Sequence, residues 1–173
     1  MNKNLHKGNM GISLHSFIGS YLMFDSIYFD MDDLVDEEII EVRKIAENIQ
    51  PKLDIIKRYF NVEVIEGWIG TNYRVDGILK DKHFSRTFIS EWKINFSYTS
   101  IRYRHKDLNQ LLKYLRQLDH IDYGFLCYFT PLGDCLFYFT DVNNNVKVID
   151  SNLNGAVLNR LNNQINRYSL SKS

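Results

Sequence analysis

The chain has 173 residues, of which 45% are hydrophobic and 14% aromatic, with only 2 prolines. That apolar content is enough for the core of one domain of ordinary size and excludes disordered, collagen-like and repeat proteins. The 21 basic and 21 acidic residues give a formal net charge of zero, which by itself argues against a histone-like or tail-driven DNA-binding protein.

The cellular compartment follows from what the sequence does not contain. Two cysteines, Cys127 and Cys135, are too few for a disulfide framework, a four-cysteine zinc site or an iron–sulfur cluster, and we predict that both are buried free thiols. The N-terminal stretch has no signal-peptide pattern, and no apolar run approaches the about 20 residues that span a bilayer. We therefore expect an intracellular, cytoplasmic protein.

The N-terminal part of the chain is predicted to be helical. Apolar residues from Leu14 to Leu22 recur at intervals of three and four, which predicts a helix over 11–24. The same rhythm between Ile39 and Phe60 fits one long helix or two helices joined near Pro51. Because proline clashes with the preceding turn, we expect a break or kink at 48–50.

From residue 62 onward the pattern is typical of strands. Strands are predicted at 62–65, 73–79, 88–96, 123–130, 135–142 and 146–149, with a helix capped by Asp107 between the third and fourth and a helix at 157–165 at the end. The order α-α-β-β-β-α-β-β-β-α predicts an α/β fold, a mixed sheet flanked by helices. With no linker rich in Pro, Gly or Ser, we expect a single domain over 1–173, comprising N-terminal helices (11–60), a central sheet with one helix (62–150) and a C-terminal helix (151–173).

The third predicted strand carries a carboxylate and an ammonium on one side. Glu91 and Lys93 are two residues apart, so they project from the same face of the strand. Asp76 lies on the preceding strand, and a loop from Lys80 to Thr87 sets it opposite Glu91. A tight turn at 81–82 would instead set Asp76 opposite Thr87, roughly 13 Å out of step.

Two neighbouring carboxylates repel each other unless a cation lies between them, and hard oxygen ligands suit Mg²⁺ or Mn²⁺. A lysine beside such an ion can orient or deprotonate a water molecule. This set of groups is suited to hydrolysis of a phosphodiester. The alternative is a surface ion pair in a hairpin, since Asp…Glu-x-Lys is a short pattern built from common residues.

Two further motifs flank this pattern. Gly11 and His15 form Gly-x-x-x-His in the first helix, and Gln110 and Tyr114 are spaced i, i+4 on one face of the helix after the third strand. With Asp76 and Glu91-x-Lys93, the ordered set resembles the RecB-type branch of the PD-(D/E)xK nuclease superfamily. The resemblance covers about residues 11–142 and implies a restriction-endonuclease-like fold. Glu stands in the third motif where many members of that branch have Asp.

The resemblance also implies roles for individual residues. His15, Asp76 and Glu91 would bind Mg²⁺ or Mn²⁺, with the Trp92 carbonyl as a further ligand, and Lys93 would be the catalytic lysine. Gln110 and Tyr114 would contact DNA and support the active site, unless they are an exposed glutamine beside a packing tyrosine. His15 can also be a half-buried helix histidine, in which case Glu47 is the substitute ligand.

Charge is unevenly distributed along the chain. The stretch 25–41 holds eight acids and no base, whereas 74–106 has a net charge of +5. We expect the acidic stretch to face away from the DNA path or to dock a basic partner. We expect the basic residues to bind phosphates and the interleaved aromatic residues to stack on unpaired bases or to pack in the core. The basic set is Arg74, Lys80, Lys82, Arg86, Lys93, Arg102, Arg104 and Lys106, and the aromatic set is Trp68, Tyr73, Tyr98 and Tyr103.

The sequence thus predicts a metal-dependent DNA nuclease with little sequence specificity, since no base-reading helix is evident. By analogy with the family, we expect an exonuclease or end-processing enzyme of recombination or replication, stand-alone or phage-encoded. Such an enzyme would work with a single-strand annealing or binding protein. Two alternatives stay open: a catalytically silent nuclease-fold module that binds DNA or protein, and an RNA-directed nuclease.

Overall fold

The computed structural model describes residues 3–69, 73–96, 101, 103–121 and 123–171. Helices and strands follow the predicted order, and the predicted α/β class with a mixed sheet and flanking helices is confirmed. The third strand ends at Ile94, two residues earlier than expected. The elements are α1 (Lys3–Phe24), α2 (Asp36–Tyr59), β1 (Phe60–Ile69), β2 (Tyr73–Asp81), β3 (Thr87–Ile94), α3 (His105–Leu115), β4 (Tyr123–Phe129), β5 (Cys135–Asp141), β6 (Lys147–Asp150) and α4 (Gly155–Ser171).

The six strands form one sheet in which spatial order equals chain order, β1 to β6. Within the described ranges, β3 and β4 are the one parallel pair, and the other neighbours are antiparallel. A parallel pair requires a crossover connection, and α3 supplies it. The sheet therefore presents the C-terminal ends of β3 and β4 at the same edge, beside the start of α3.

Helices cover both faces of the sheet. On one face α1, α2 and α4 enclose a core in which Phe125 stacks on Phe60 and Phe139. On the other face α3 packs Leu111 and Leu115 against the sheet. Cys127 and Cys135 are buried free thiols, as predicted. None of the helices that the structure describes is both long and apolar enough to cross a membrane.

The predicted break near residues 48–50 is wrong, because α2 continues through Pro51. Proline removes the bond to the Glu47 carbonyl and costs about 3 kcal/mol in a helix interior. Against this, α2 buries an apolar face, each large side chain of which contributes about 1.5–3 kcal/mol, and Pro51 lies on the exposed face. Burial therefore outweighs the local cost. The fully buried members of that face are Val42, Ile49, Leu53 and Ile56.

The predicted cap of α3 also differs. The helix begins at His105 with Arg104 as its N-cap residue, and Asp107 lies within the first turn. The Asp107 carboxylate is buried and accepts hydrogen bonds from Tyr128 Oη and Arg104 Nε instead of capping the backbone. The side chain that the local pattern predicted as the helix cap thus makes a tertiary contact with β4.

Replacing Pro51 with alanine tests the account of α2. Because the helix is continuous there, Pro51→Ala should raise the free energy of unfolding by about 1–3 kcal/mol, measured by urea denaturation. Glu47→Ala, on an exposed position one turn earlier, should change it by less than about 0.5 kcal/mol. A Pro51→Ala protein no more stable than the wild type would contradict the account.

Candidate active site

The hairpin between β2 and β3 sets the register on which the site depends. Its paired residues run from Lys80 opposite Thr87 to Gly77 opposite Ser90, so the hairpin has the longer loop, which is the register that the proposed metal site requires. Asp81 closes the turn: its buried Oδ1 accepts the N–H groups of His83 and Phe84 at 2.7 and 3.2 Å. This local turn fixes the register of the hairpin and so brings Asp76 beside Glu91.

Asp76 bridges the two strands just beyond the last pair of their ladder, Gly77 and Ser90. Its Oδ2 accepts the backbone N–H of Trp92 at 2.7 Å, so a carboxylate stands where a strand carbonyl would otherwise accept. His15 of α1 approaches from the side, with Nδ1 3.7 Å from Asp76 Oδ1 and its ring 6.5 Å from that of Trp92. The structure therefore brings His15 and Asp76 together next to β3.

Glu91 is the most buried charged group of the site. It is 2% exposed, and its Oε2 accepts a hydrogen bond from Lys93 Nζ at 3.0 Å. Its Oε1 is buried without a hydrogen-bond partner among the described residues. Burial, and next the negative charge of Asp76, raise the pKa of Glu91 to about 7. A buried oxygen without a partner is costly, and a bound cation would remove that cost.

Lys93 completes the cluster. Burial would lower the pKa of its ammonium, but the charges of Glu91 and Asp76 outweigh this and raise the pKa. Lys93 is therefore a cation at neutral pH, suited to holding an anionic group or orienting water rather than to accepting a proton.

The donor set fits Mg²⁺ or Mn²⁺ in kind, since it offers one imidazole and two carboxylates, and the Oε1 oxygen of the Glu91 carboxylate has no partner. It is not closed around a common point: among the described residues, no three His, Cys, Asp or Glu side chains converge closely enough to hold an ion. The hydrogen bonds of Asp76 to the Trp92 N–H and of Glu91 to Lys93 occupy one oxygen of each carboxylate. Binding an ion would therefore require side-chain shifts.

A cleft of about 780 Å³ opens beside these residues, and four of the described side chains that line it are cations. His15, Gly8 and Gly11 of α1 form one wall. Such a concentration of positive charge favours polyanionic ligands. The four cations are Lys7, Arg74, Lys93 and Arg104.

The predicted basic stripe is divided between two places. Arg74, Lys93 and Arg104 line the cleft, but Lys80 lies six residues, or roughly 20 Å, from Arg74 along β2. At that far end Lys82 Nζ donates to the Lys57 carbonyl and Arg86 donates to Asn162 Oδ1 at 2.6 Å. Lys106 is exposed and is not among the residues that line the cleft. Arg102 lies outside the described residues.

Of the four aromatic residues expected to stack on bases or to pack in the core, the structure describes the side chain of one, Tyr103. Tyr103 packs edge-on against Tyr138 at a centroid distance of 4.9 Å, which assigns it to the core under α3. Tyr98 lies outside the described residues, and so do the side chains of Trp68 and Tyr73.

The acidic stretch 25–41 does not lie wholly away from the cleft, contrary to expectation, because Asp30 lines it. The connection between α1 and α2 folds back over α1, where Phe29 stacks on Phe17 at 5.2 Å and Asn9 Nδ2 donates to the Asp33 carbonyl. This packing carries Asp30 to the rim. One carboxylate among four cations lowers the attraction for a polyanion, so the prediction of DNA binding is weakened at this wall.

Gln110 and Tyr114 share a face of α3, as predicted, and Gln110 Nε2 donates to Tyr114 Oη at 2.6 Å. Tyr114 and Ile89 belong to the same buried cluster, and Ile89 shares its side of β3 with Glu91. Neither residue is among those that line the cleft. Glu47 lies in a separate pocket with Phe17 and Arg43, so the structure does not bring this substitute ligand to Asp76.

Sequence reasoning missed the group formed by Arg104, Asp107 and Tyr128. Asp107 was assigned to a helix cap, and Tyr128 is hidden within an apolar strand. The signal that was available is the tyrosine itself, because a buried hydroxyl usually requires a polar partner. Lys7 was also missed, since it belongs to no motif.

Comparison with known proteins gives limited information. No protein family model matches the chain, and no curated protein does. Among solved structures, the chain is similar to the type IIG restriction endonuclease BpuSI, with a TM-score of 0.32 and 19% identity over 73% of this chain and 15% of that one. What the site can do must therefore follow from its own residues.

Two glycines of the site provide a matched pair of tests. A Cβ on Gly77 would lie 2.8 Å from Trp92 Cζ2 and 2.9 Å from Ser90 Oγ, whereas one on Gly11 would meet nothing within 4 Å. Gly77→Ala should therefore lower the free energy of unfolding by about 1–3 kcal/mol. Gly11→Ala, in the open wall of α1, should raise it by about 0.5–1 kcal/mol. Urea denaturation of both variants checks this, and equal effects would contradict the packing described.

The raised pKa of Glu91 predicts a pH dependence of stability in the metal-free protein. Its folded pKa of about 7 lies above the ordinary value of 4.5, so between these values the folded state binds more protons than the unfolded state. The free energy of unfolding should fall as the pH rises from about 4.5 to 7, by up to about 3 kcal/mol, and then level off.

Glu91→Gln provides the control for that pH dependence. With no titrating carboxyl at this position, the variant should lose most of the decline while keeping the contributions of all other groups. Chemical denaturation in EDTA across this pH range measures both curves. Parallel curves for wild type and variant would show that Glu91 titrates normally in the folded protein.

Proposed function

We propose that the chain is a metal-dependent nuclease that hydrolyses phosphodiester bonds of DNA with little sequence specificity. The observation that carries the proposal is the meeting of Asp76, Glu91 and Lys93 beside a cationic cleft, with a buried Glu91 oxygen that lacks a partner. A merely structural ion pair would not need a second carboxylate whose charge raises the pKa of the first.

His15, Asp76 and Glu91 are the residues that would hold Mg²⁺ or Mn²⁺. When bound, such an ion neutralises charge on phosphoryl oxygens and lowers the pKa of a coordinated water. The hydrogen bond from the Trp92 N–H fixes the Asp76 carboxylate between the strands, and Lys93 fixes that of Glu91. One oxygen of each carboxylate is thus held in place by the protein, and side-chain shifts would bring the ligands together around an ion.

Lys93 has a second role in this proposal. Its ammonium lines the cleft, so it can orient the attacking water and stabilise the negative charge that develops on the phosphoryl group. The cations Lys7, Arg74 and Arg104 would hold neighbouring phosphates without reading base identity. The Gln110–Tyr114 hydrogen bond would support the sheet behind Glu91.

The order of the four motifs supports membership of the RecB-type branch. On that basis we propose an exonuclease or end-processing role in recombination or replication, with a single-strand annealing or binding protein as a partner. Digestion of linear and circular DNA distinguishes an exonuclease from an endonuclease, because an enzyme that requires a DNA end leaves circles intact.

A second candidate is a nuclease-fold module that binds DNA without turnover. One observation favours it: in the described part of the chain, the metal-binding side chains do not converge on a common point. Such a module would bind DNA in the presence of Mg²⁺ or Mn²⁺ and leave it uncut.

Cleavage by wild type and by Lys93→Ala distinguishes the two candidates. With Mg²⁺ or Mn²⁺ the wild type should degrade labelled DNA, and Lys93→Ala should be slower by about 100-fold or more, because it removes a preoriented charge. Lys106→Ala, which removes an exposed lysine outside the cleft, should retain wild-type rates. The rate of cleavage of an RNA of the same sequence shows whether the enzyme prefers DNA or RNA.

The nuclease proposal fails if purified wild type is inert with both ions. It also fails if Lys93→Ala cuts DNA as fast as the wild type does. DNA binding without cleavage would support the second candidate.

A further inference from the structure

Arg104 differs from the other cleft cations in being held by a buried carboxylate. Its Nε donates to Asp107 Oδ2 at 3.0 Å. The Asp107 side chain is only 7% exposed, whereas that of Arg104 is 53% exposed and lines the cleft beside Lys93. The pair therefore has a buried anchor and an accessible cation.

Tyr128 of β4 secures both members of this pair. Its Oη donates to Asp107 Oδ2 at 2.7 Å and accepts the backbone N–H of Arg104 at 2.9 Å. Tyr128 is buried and lies opposite Lys93 in the parallel register of β3 and β4. The backbone and the side chain of Arg104 are thus fixed relative to Lys93.

The energetics of this arrangement indicate a ligand. An exposed ion pair contributes about 0–1 kcal/mol, because ordering two side chains offsets the attraction. Here the carboxylate is already ordered by Tyr128, so the guanidinium is fixed at little further cost. The bond uses Nε, and no acceptor among the described residues bonds the two Nη groups. These are the donors that arginine uses to bind phosphate.

We propose that Arg104 binds a backbone phosphate of the substrate strand next to the bond that is cut. Asp107 and Tyr128 are positioning residues that hold its guanidinium over the cleft. The position of Arg104 in the cleft and its hydrogen bond to the buried Asp107 carboxylate support the phosphate contact. Its placement next to the cut bond rests on the proposed function, through the position of Lys93.

A purely structural role for the group is the competing explanation. Asp107 is an acidic residue in the first turn of α3, where a negative charge stabilises the helix terminus. A loss of stability in variants would therefore not separate the two explanations. The salt dependence of DNA binding does, because each phosphate contact contributes to the slope of log K against log salt concentration.

The experiment measures binding of a short, fluorescently labelled single-stranded DNA in EDTA, where no cleavage occurs, over a series of KCl concentrations. Arg104→Ala should bind about tenfold more weakly, and its slope should be smaller in magnitude by about 0.7. Arg104→Lys should retain the slope with reduced affinity. Tyr128→Phe, which keeps the cation but loses the hydroxyl that orders it, should also retain the slope and bind several-fold more weakly.

Arg116→Ala is the matched control, since it removes an exposed arginine from the opposite end of α3. It should bind as the wild type does. Thermal unfolding of each variant verifies that it is folded. If Arg104→Ala does not fold, the affinity of Arg104→Lys is used in its place.

Wild-type affinity and slope in Arg104→Ala would overturn the phosphate contact, and so would absence of DNA binding by the wild type. Wild-type affinity in Tyr128→Phe would overturn the positioning role. A protein that binds DNA through Arg104 but does not cut it with Mg²⁺ or Mn²⁺ would refute the proposed function and leave the phosphate contact standing.

Discussion

The repulsion between Asp76 and Glu91 is the constraint around which the site is built. Glu91 is almost fully buried and shares the space between β2 and β3 with a second carboxylate, so its charged form is disfavoured. Lys93 and the Trp92 N–H each satisfy one oxygen of the pair, but Glu91 Oε1 has no hydrogen-bond partner among the described residues. Natural proteins retain such unfavourable arrangements chiefly at functional sites.

The fold maintains this arrangement through local and distant contacts. The Asp81 turn sets the register of β2 and β3, and the absence of a side chain at Gly77 lets Trp92 lie against β2. The crossover through α3 brings Arg104 to the same edge, where Tyr128 and Asp107 hold it. The first two contacts position the two carboxylates relative to each other, and the last positions a cation near them.

Much of this could be predicted from sequence, because strand alternation and hairpin register are local properties. The common face of Glu91 and Lys93 and the order of the elements followed from them, whereas the sequence left two registers open for the hairpin before Thr87. Pro51, Asp107 and Asp30 were misjudged for the opposite reason: burial of the α2 face, a bond to Tyr128 and packing of Phe29 on Phe17 are tertiary effects. Whether a side chain reaches the cleft is likewise decided by packing, as Lys7 illustrates.

The most direct test of the central claim is the stability of the metal-free protein as Mn²⁺ is added at pH 8, above the raised pKa of Glu91. A poised site predicts that the melting temperature of the wild type rises with Mn²⁺ concentration. Asp76→Asn and Glu91→Gln should lose most of that rise, whereas Asp119→Asn, at an exposed position, should keep it. An unchanged melting temperature in the wild type, or equal rises in all four proteins, would contradict a metal site formed by Asp76 and Glu91.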